Sequence, residues 1–173
     1  FDDGTITLED FFATAAEILD RPLAQEAGDS VSFLPQLQGK PQDKSQRELI
    51  MSSLSNKLVL RYKHWKLICV GEQELVDRTD SKPQGERKIT DPNAPWQEQV
   101  VLYNLKEDMA ETTNVAQQNR ALVAEIAKLA INAFVDGRTT VGPARPNSCS
   151  EPQIDLLKKL VVLTDEPKSA VEK

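Results

Sequence analysis

Residues 102–118 read LYNLKEDMAETTNVAQQ. A strand-like run, Leu102, Tyr103 and Leu105, gives way to Glu107, Asp108 and Glu111, three carboxylates in five residues. Such a cluster suits a metal or acid–base site, and it suits equally the polar elbow between a strand and a helix. The spacing does not converge on one metal, and no histidine or nucleophile lies nearby in the sequence. Acidic groups are favoured ahead of a helix N-terminus by the helix dipole. Thr112, Thr113 and Asn114 can satisfy free backbone N–H groups there. The stretch therefore predicts a joint: the last strand of a sheet, then the helix that covers it.

Downstream, Asn119 is placed to cap that helix. Leu122, Ile126, Leu129 and Ala133 form one stripe, with Val123, Ala127, Ala130 and Phe134 beside it, wide enough to cover a sheet face. Gly137 stands where a left-handed C-terminal cap belongs. Gly142, Pro143, Pro146 and Asn147 then read as a loop. Glu151-Pro152 opens a third helix reaching Leu163, with 160–163 readable as a strand instead, and 164–173 reads as a frayed polar end.

Upstream, the pattern has period 2. Leu49-Ile50-Met51 and Leu58-Val59-Leu60 flank the polar stretch 52–57, where Ser55-Asn56 suits a turn. A second turn at Tyr62-Lys63-His64 leads into a strand over 65–70, and the last strand covers 99–105. Between these two, 71–98 holds Pro83, Pro92 and Pro95 without sustained periodicity, a connection long enough to carry function. Further upstream, Thr7 begins a helix with Leu8, Phe11, Phe12, Ala15, Ile18 and Leu19 on one face. Thr7 and Asp10 resemble a capping box, and Pro22 ends the helix. A loop with a short docked turn follows over 28–37, then a polar linker over 39–46. The fold class predicted is α+β: a small four-stranded antiparallel sheet packed by a C-terminal amphipathic helix, preceded by a separate helix.

The chain has 173 residues, 39% of them hydrophobic, enough for one core and a small appendage. No apolar run approaches the ~20 residues of a membrane span. A net charge of −6, with scattered lysines and arginines, argues against nucleic acid. Phe1 stands first with no basic-then-apolar leader before the fold, so either a leader was removed or this is the back part of a longer protein. Cys69 and Cys149 fit a buried strand thiol and a loop thiol better than a zinc site, and a disulfide between them is left open.

Five stretches, in order, carry a family resemblance. They are Leu8-Glu9-Asp10-Phe11-Phe12-Ala13-Thr14, Asp29-Ser30-Val31-Ser32-Phe33-Leu34-Pro35, Trp65-Lys66-Leu67-Ile68, the joint Leu102-Tyr103-Asn104-Leu105 with Asp108 and 111–116, and Gly137-Arg138-Thr139-Thr140. Together they resemble the C-terminal portion of arylsulfatase-type sulfatases, in the alkaline-phosphatase-like superfamily, over residues 5–145. The resemblance implies three parts. Residues 1–40 would be the trailing helix and loop of an α/β catalytic domain, 41–145 a C-terminal subdomain of sheet plus helix, and 146–173 an extra tail. Two positions depart from the family pattern. Met109 replaces a usual proline, and Lys63 replaces a glycine common in the turn before Trp65, which predicts a looser turn.

The resemblance also implies a formylglycine nucleophile made within Cys/Ser-x-Pro-x-Arg and a calcium ion held by Asp and Asn oxygens. Neither is expected within this chain. Cys149-Ser150-Glu151-Pro152-Gln153 has its proline one place late and no arginine. Ser150-Glu151-Pro152-Gln153-Ile154 and Ser81-Lys82-Pro83-Gln84-Gly85 lack the arginine. Asp2-Asp3-Gly4 has no buried strand before it. The expectation is no catalytic, cofactor or metal residue here, with an upstream catalytic domain as the partner. A periplasmic or extracellular site is implied by resemblance alone. His64, the only histidine, is expected on the surface, with a substrate-facing role as the minority option, and Lys66 on the sheet face opposite Trp65, in solvent. Trp65 is expected half-buried in the sheet, with stacking on a sugar or aryl ring as the minority role of Trp65 and Trp96. The competing readings are a stand-alone module that binds a partner or glycan, and a related phosphatase or phosphodiesterase.

Overall fold

In the computed structural model the described residues are 5–41, 47–54, 57–70, 100–146 and 154–162. The stretch 71–98, Trp96, Cys149, Asp2-Asp3-Gly4, Ser55-Asn56, 150–152 and the end from 163 lie outside them. The elements are α1 (Asp10–Ile18), α2 (Leu34–Leu37), β1 (Leu49–Leu54), β2 (Lys57–Tyr62), β3 (Trp65–Val70), β4 (Val100–Asn104), α3 (Arg120–Asp136) and α4 (Ile154–Val162), with a 3-10 turn at Gln25–Ala27. The chain divides into two compact units, one of Phe1–Ile50 with Ala133–Ser148, the other of Met51–Asn132 with Cys149–Lys173.

The strand order of the sheet is β1-β2-β3-β4, and β2, β3 and β4 lie in the second unit. β2 and β3 pair antiparallel with Leu60 opposite Leu67, and β3 and β4 pair antiparallel with Leu67 opposite Leu102. Alternation sends Leu58, Leu60 and Tyr62 of β2, Leu67 and Cys69 of β3, and Val100 and Leu102 of β4 to one buried face. From α3, Val123, Ala124, Ile126, Ala127 and Ala130 are buried. The Tyr62 hydroxyl, on the sheet's buried face, donates to Glu125 Oε1 at 2.8 Å, which places α3 over that face. The buried stripe is thus centred on Val123, Ile126, Ala127 and Ala130, while Leu122, Leu129, Ala133 and Phe134 flank it half-buried. α4 is a helix through Val162, which removes the strand alternative at 160–162, and it buries Leu157 and Leu160.

The β2–β3 connection is tighter than its sequence predicts. Tyr62 pairs with Trp65, so only Lys63 and His64 make the turn. Lys63 adopts φ +54°, the left-handed backbone at the first central residue that such a loop usually reserves for glycine. Its ammonium lies 4.5 Å from the Tyr62 ring centroid and donates to the Tyr62 hydroxyl at 2.8 Å, contacts that offset part of the strain. Glycine's absence here costs some strain without opening the loop.

The first unit is built on polar joints. α1 begins at Asp10, and the Thr7 N–H donates to Asp10 Oδ2 at 2.7 Å, the half of the capping box in which an acid reaches back. The helix stops at Ile18, earlier than Pro22 requires. Asp20 takes φ +52°, and the N–H groups of Arg21 and Asp20 close on the carbonyls of Ala16 and Glu17, a Schellman ending followed by proline. At the end of α3, Gly137 (φ +62°) does the same, with the Arg138 N–H on the Ala133 carbonyl. A Cβ on Gly137 would come within 2.5 Å of the Arg145 carbonyl oxygen, a second reason for glycine there.

Candidate functional site

Two carboxylates of the 102–118 stretch, Asp108 and Glu111, have separate partners. Asp108 accepts from the backbone N–H groups of Thr112 (2.8 Å) and Thr113 (2.8 Å) and from the Thr112 hydroxyl (3.1 Å). Those N–H groups, Thr112 first, hold the Asp108 carboxyl below its ordinary range. Glu111, at φ +56°, turns instead to β3, where both of its oxygens lie 2.7 Å from the Lys66 ammonium. Lys66 is therefore ion-paired on the outer sheet face, not simply solvated. Partial burial, then the Glu111 and Asp108 charges, push the Tyr103 phenol above its ordinary value.

Asn114 locks the joint to the sheet. Its side-chain carbonyl accepts from the N–H groups of Leu102 (3.0 Å) and Ala116 (3.0 Å), and its amide donates to the Val100 carbonyl at 3.3 Å. The joint is a turn network rather than a helix cap, because α3 starts only at Arg120, too far on for its dipole to reach these acids. Asn119 donates its side-chain amide to the Val115 carbonyl, while its backbone carbonyl accepts the first α3 hydrogen bond from Val123. Thr112 and Thr113 supply the N–H groups that Asp108 satisfies, the reverse of their expected capping role.

In the first unit the organising residue is Asp10, buried at 2% exposure. Arg47 grips both of its oxygens, at 2.7 and 3.0 Å, and also donates to the Asp29 carbonyl. Val31 N–H adds a bond to Asp10 at 2.9 Å. Burial alone would raise the Asp10 pKa, but the Arg47, Thr7 and Val31 donors outweigh it and hold the carboxyl below its ordinary value. Ser30 accepts from Ala13 N–H and donates to the Glu9 carbonyl, and Thr14 accepts from Phe33 N–H. The Asp29 carboxylate takes the N–H groups of Thr139 (3.1 Å) and Thr140 (3.3 Å). Arg138 holds the carbonyls of Gly28, Val141 and Pro143. Apart from Arg47, the side chains that staple this unit lie in the stretches that carry the sequence resemblance.

Sequence reasoning missed Arg47, which falls at the edge of a stretch read as solvated linker. The available signal was Asp10, an acid on the helix face opposite the apolar stripe, which needs a cation if that face turns inward. It does turn inward. The buried side of α1 is Asp10, Ala13 and Thr14, while Leu8 (86% exposed), Phe12 (67%), Ile18 (59%) and Leu19 (68%) face outward. Phe11, also exposed, sets its ring edge against Phe33.

His64 and Trp65 are half-exposed at the hairpin tip, with ring centroids 5.0 Å apart. Cys69 lies buried in β3, and burial pushes its thiol up to about 12, so it is inert toward nucleophilic chemistry. Among the described residues no group of three or more His, Cys, Asp or Glu is placed to hold a metal ion. Among them too, no helix is long and apolar enough to cross a membrane.

No protein-family model matches the chain. An N-acetylgalactosamine-6-O-sulfatase of Bacteroides thetaiotaomicron is 30% identical to it over 122 residues, 69% of this chain and 22% of the relative. The chain matches the C-terminal segment of a sulfatase. As a sulfatase segment it spans about a fifth of that relative's length, 22%. A solved structure described under the metabolism of multiple glycosaminoglycans by Bacteroides thetaiotaomicron is 28% identical, with a TM-score of 0.48 over 72% of this chain and 24% of the other. A second, described as Ps i-CgsB, is 14% identical, with a TM-score of 0.48 over 90% of this chain and 29% of the other.

Proposed function

We propose that this chain is the C-terminal structural part of a sulfatase that hydrolyses sulfate esters of carbohydrates, and that it completes the fold of a catalytic domain encoded upstream. The observation that carries the reading is α1. Its inward side is polar and fully stapled, and its outward side presents Leu8, Phe12, Ile18 and Leu19 with nothing in the described residues covering them. In this reading residues 1–40 are the trailing part of the catalytic domain, 41–145 the closing subdomain and 146–173 an added tail. The sulfatase relative, matched over only 22% of its length, supports a large missing portion.

The calcium ion and formylglycine of such an enzyme do not fit the residues described. There is no oxygen cluster for the cation among them, and Cys69 sits in a strand followed by Val70 and Gly71, without the proline and arginine of the modification motif. Both groups belong to the upstream portion in this proposal, and no step of the reaction is assigned to this chain. Its role is to hold the catalytic domain closed.

The test compares proteins of two lengths on a fluorogenic aryl sulfate. The 173-residue chain should give no turnover above a matched blank, and the complete protein should hydrolyse the ester. The reading frame upstream of Phe1 should contain Cys/Ser-x-Pro-x-Arg. A bare serine or threonine nucleophile there, with turnover of a phosphate ester instead, would replace this reading with phosphoryl chemistry.

A further inference from the structure

β4 is the last strand in the sheet order, so among the described residues its far edge has no strand beside it. Its sequence, Val-Val-Leu-Tyr-Asn, carries none of the lysines, prolines or other charges that usually keep a strand edge from pairing with another chain. An uncharged run of apolar, β-branched and aromatic residues is instead the composition that favours strand-on-strand association. Something outside the strand has to protect this edge.

The joint that follows β4 does so. The Asn104 carbonyl accepts from the N–H groups of Glu107 (3.1 Å) and Asp108 (2.8 Å), which turns the chain back on itself. Asp108 then fixes Thr112 and Thr113, and Glu111 ties the loop to Lys66 on β3. The returning backbone arrives beside β4, where the Val115 N–H donates to the Leu102 carbonyl at 2.9 Å. Asn114 fills the neighbouring groups. Its Oδ1 accepts from the Leu102 N–H at 3.0 Å, and its Nδ2 donates to the Val100 carbonyl at 3.3 Å. The side-chain amide thus presents to β4 the acceptor and the donor that an added strand would offer. The Ala116 N–H, on the same Oδ1 at 3.0 Å, holds the amide in that orientation.

We propose that the joint is an edge guard, in which Asn114 stands in for a neighbouring strand and keeps β4 of a second copy from pairing there. A second copy is the occupant this edge fits, because β4 meets its own uncharged sequence antiparallel across a two-fold axis with no like charges opposed. Asn114 is itself exposed, so access to the edge from solvent depends on it. Loss of its amide leaves the Val115 bond to hold the segment against β4, and one bond does not keep out a strand that offers several. The inference stands on the hydrogen bonds of β4 and the joint, and it is independent of the sulfatase reading.

The test compares the full 173-residue chain with its Asn114→Ala variant. In sedimentation velocity the variant's weight-average mass should reach about twice the parent's or more at the same concentration. The parent is the baseline, so any association through the α1 face cancels. Amide exchange at Leu102 should be fast in the dilute variant and slow again in its associated form, where a second copy's strand takes up that N–H. Leu67→Ala, which lowers stability without touching the edge, should keep the parent's mass under the same conditions. If Asn114→Ala does not fold, Asn114→Ser takes its place with the same expected result, since a serine hydroxyl is too short to serve both Leu102 and Val100. A folded variant with the parent's mass, association without renewed protection of Leu102, or equal association by Leu67→Ala would each overturn the proposal.

Discussion

Arg47→Ala is expected to cost the first unit about 3–5 kcal/mol, because it leaves the Asp10 carboxylate buried without its cation. Asp10 is 2% exposed and the Arg47 side chain 8%, so the intact pair is shielded from water. The readout is amide hydrogen exchange at Ala13, Val31 and Phe33, whose N–H groups bond Ser30, Asp10 and Thr14. Protection there should collapse while that of β2 and β3 amides changes less. Replacing Asp10 and Arg47 together by leucine should cost less than Arg47→Ala, since no orphan charge remains. The pH dependence follows with a definite sign. Because Asp10 is held below its ordinary value of 3.8, its contribution is complete above that pH and is lost as pH falls through the lower folded value. Protection attributable to the pair should therefore be flat from neutrality down to about pH 4 and fail only below it. A loss under 1 kcal/mol in Arg47→Ala, or a loss of protection near neutrality, would contradict this account.

Leu67→Ala is expected to cost about 2–5 kcal/mol. Leu67 sits in the middle of β3, flanked in register by Leu60 on β2 and Leu102 on β4, and all three are 0% exposed. With a hydrogen-bonded strand on either side, the backbone cannot close in on the vacated space, so the cavity persists. The urea midpoint followed by far-UV circular dichroism should fall with little change in slope. A change below 1 kcal/mol would mean that the buried face of the sheet is not the core described above.

The elements that the sequence made legible are those set by periodicity and by backbone chemistry. Period-2 runs located β2, β3 and β4, and the double stripe located α3 and its sheet-facing role. Gly137 marked the helix end for the reason found, a positive φ. What failed were inferences from one residue taken alone. Pro22 was credited with ending α1, although Asp20 had already done so through a Schellman ending. Lys63 suggested an open turn, yet its contacts with Tyr62 let a lysine take a glycine's conformation. Lys66 was assigned to solvent because its partner, Glu111, is forty-five residues away in the chain. Arg47 was invisible for the same reason: its partner Asp10 is thirty-seven residues distant. Long-range ion pairs leave no local periodicity to read. The apolar face of α1 was recognised, and the residues preceding it in a sulfatase, absent from this chain, are where its partners are proposed to lie.

The central claim is that this outward face is covered in the complete protein and bare in the chain alone. The most direct measurement is the effect of Phe12→Asp and Ile18→Asp on unfolding midpoint in both contexts. In the 173-residue chain, where these side chains are 67% and 59% exposed, each change should stay within about 0.5 kcal/mol of the parent. In the complete protein each should cost about 2 kcal/mol or more and lower aryl sulfate turnover with it, because a charge would enter a buried apolar contact. Small effects in both contexts would contradict the account, since they would leave α1 as a solvent-facing helix with no domain to close.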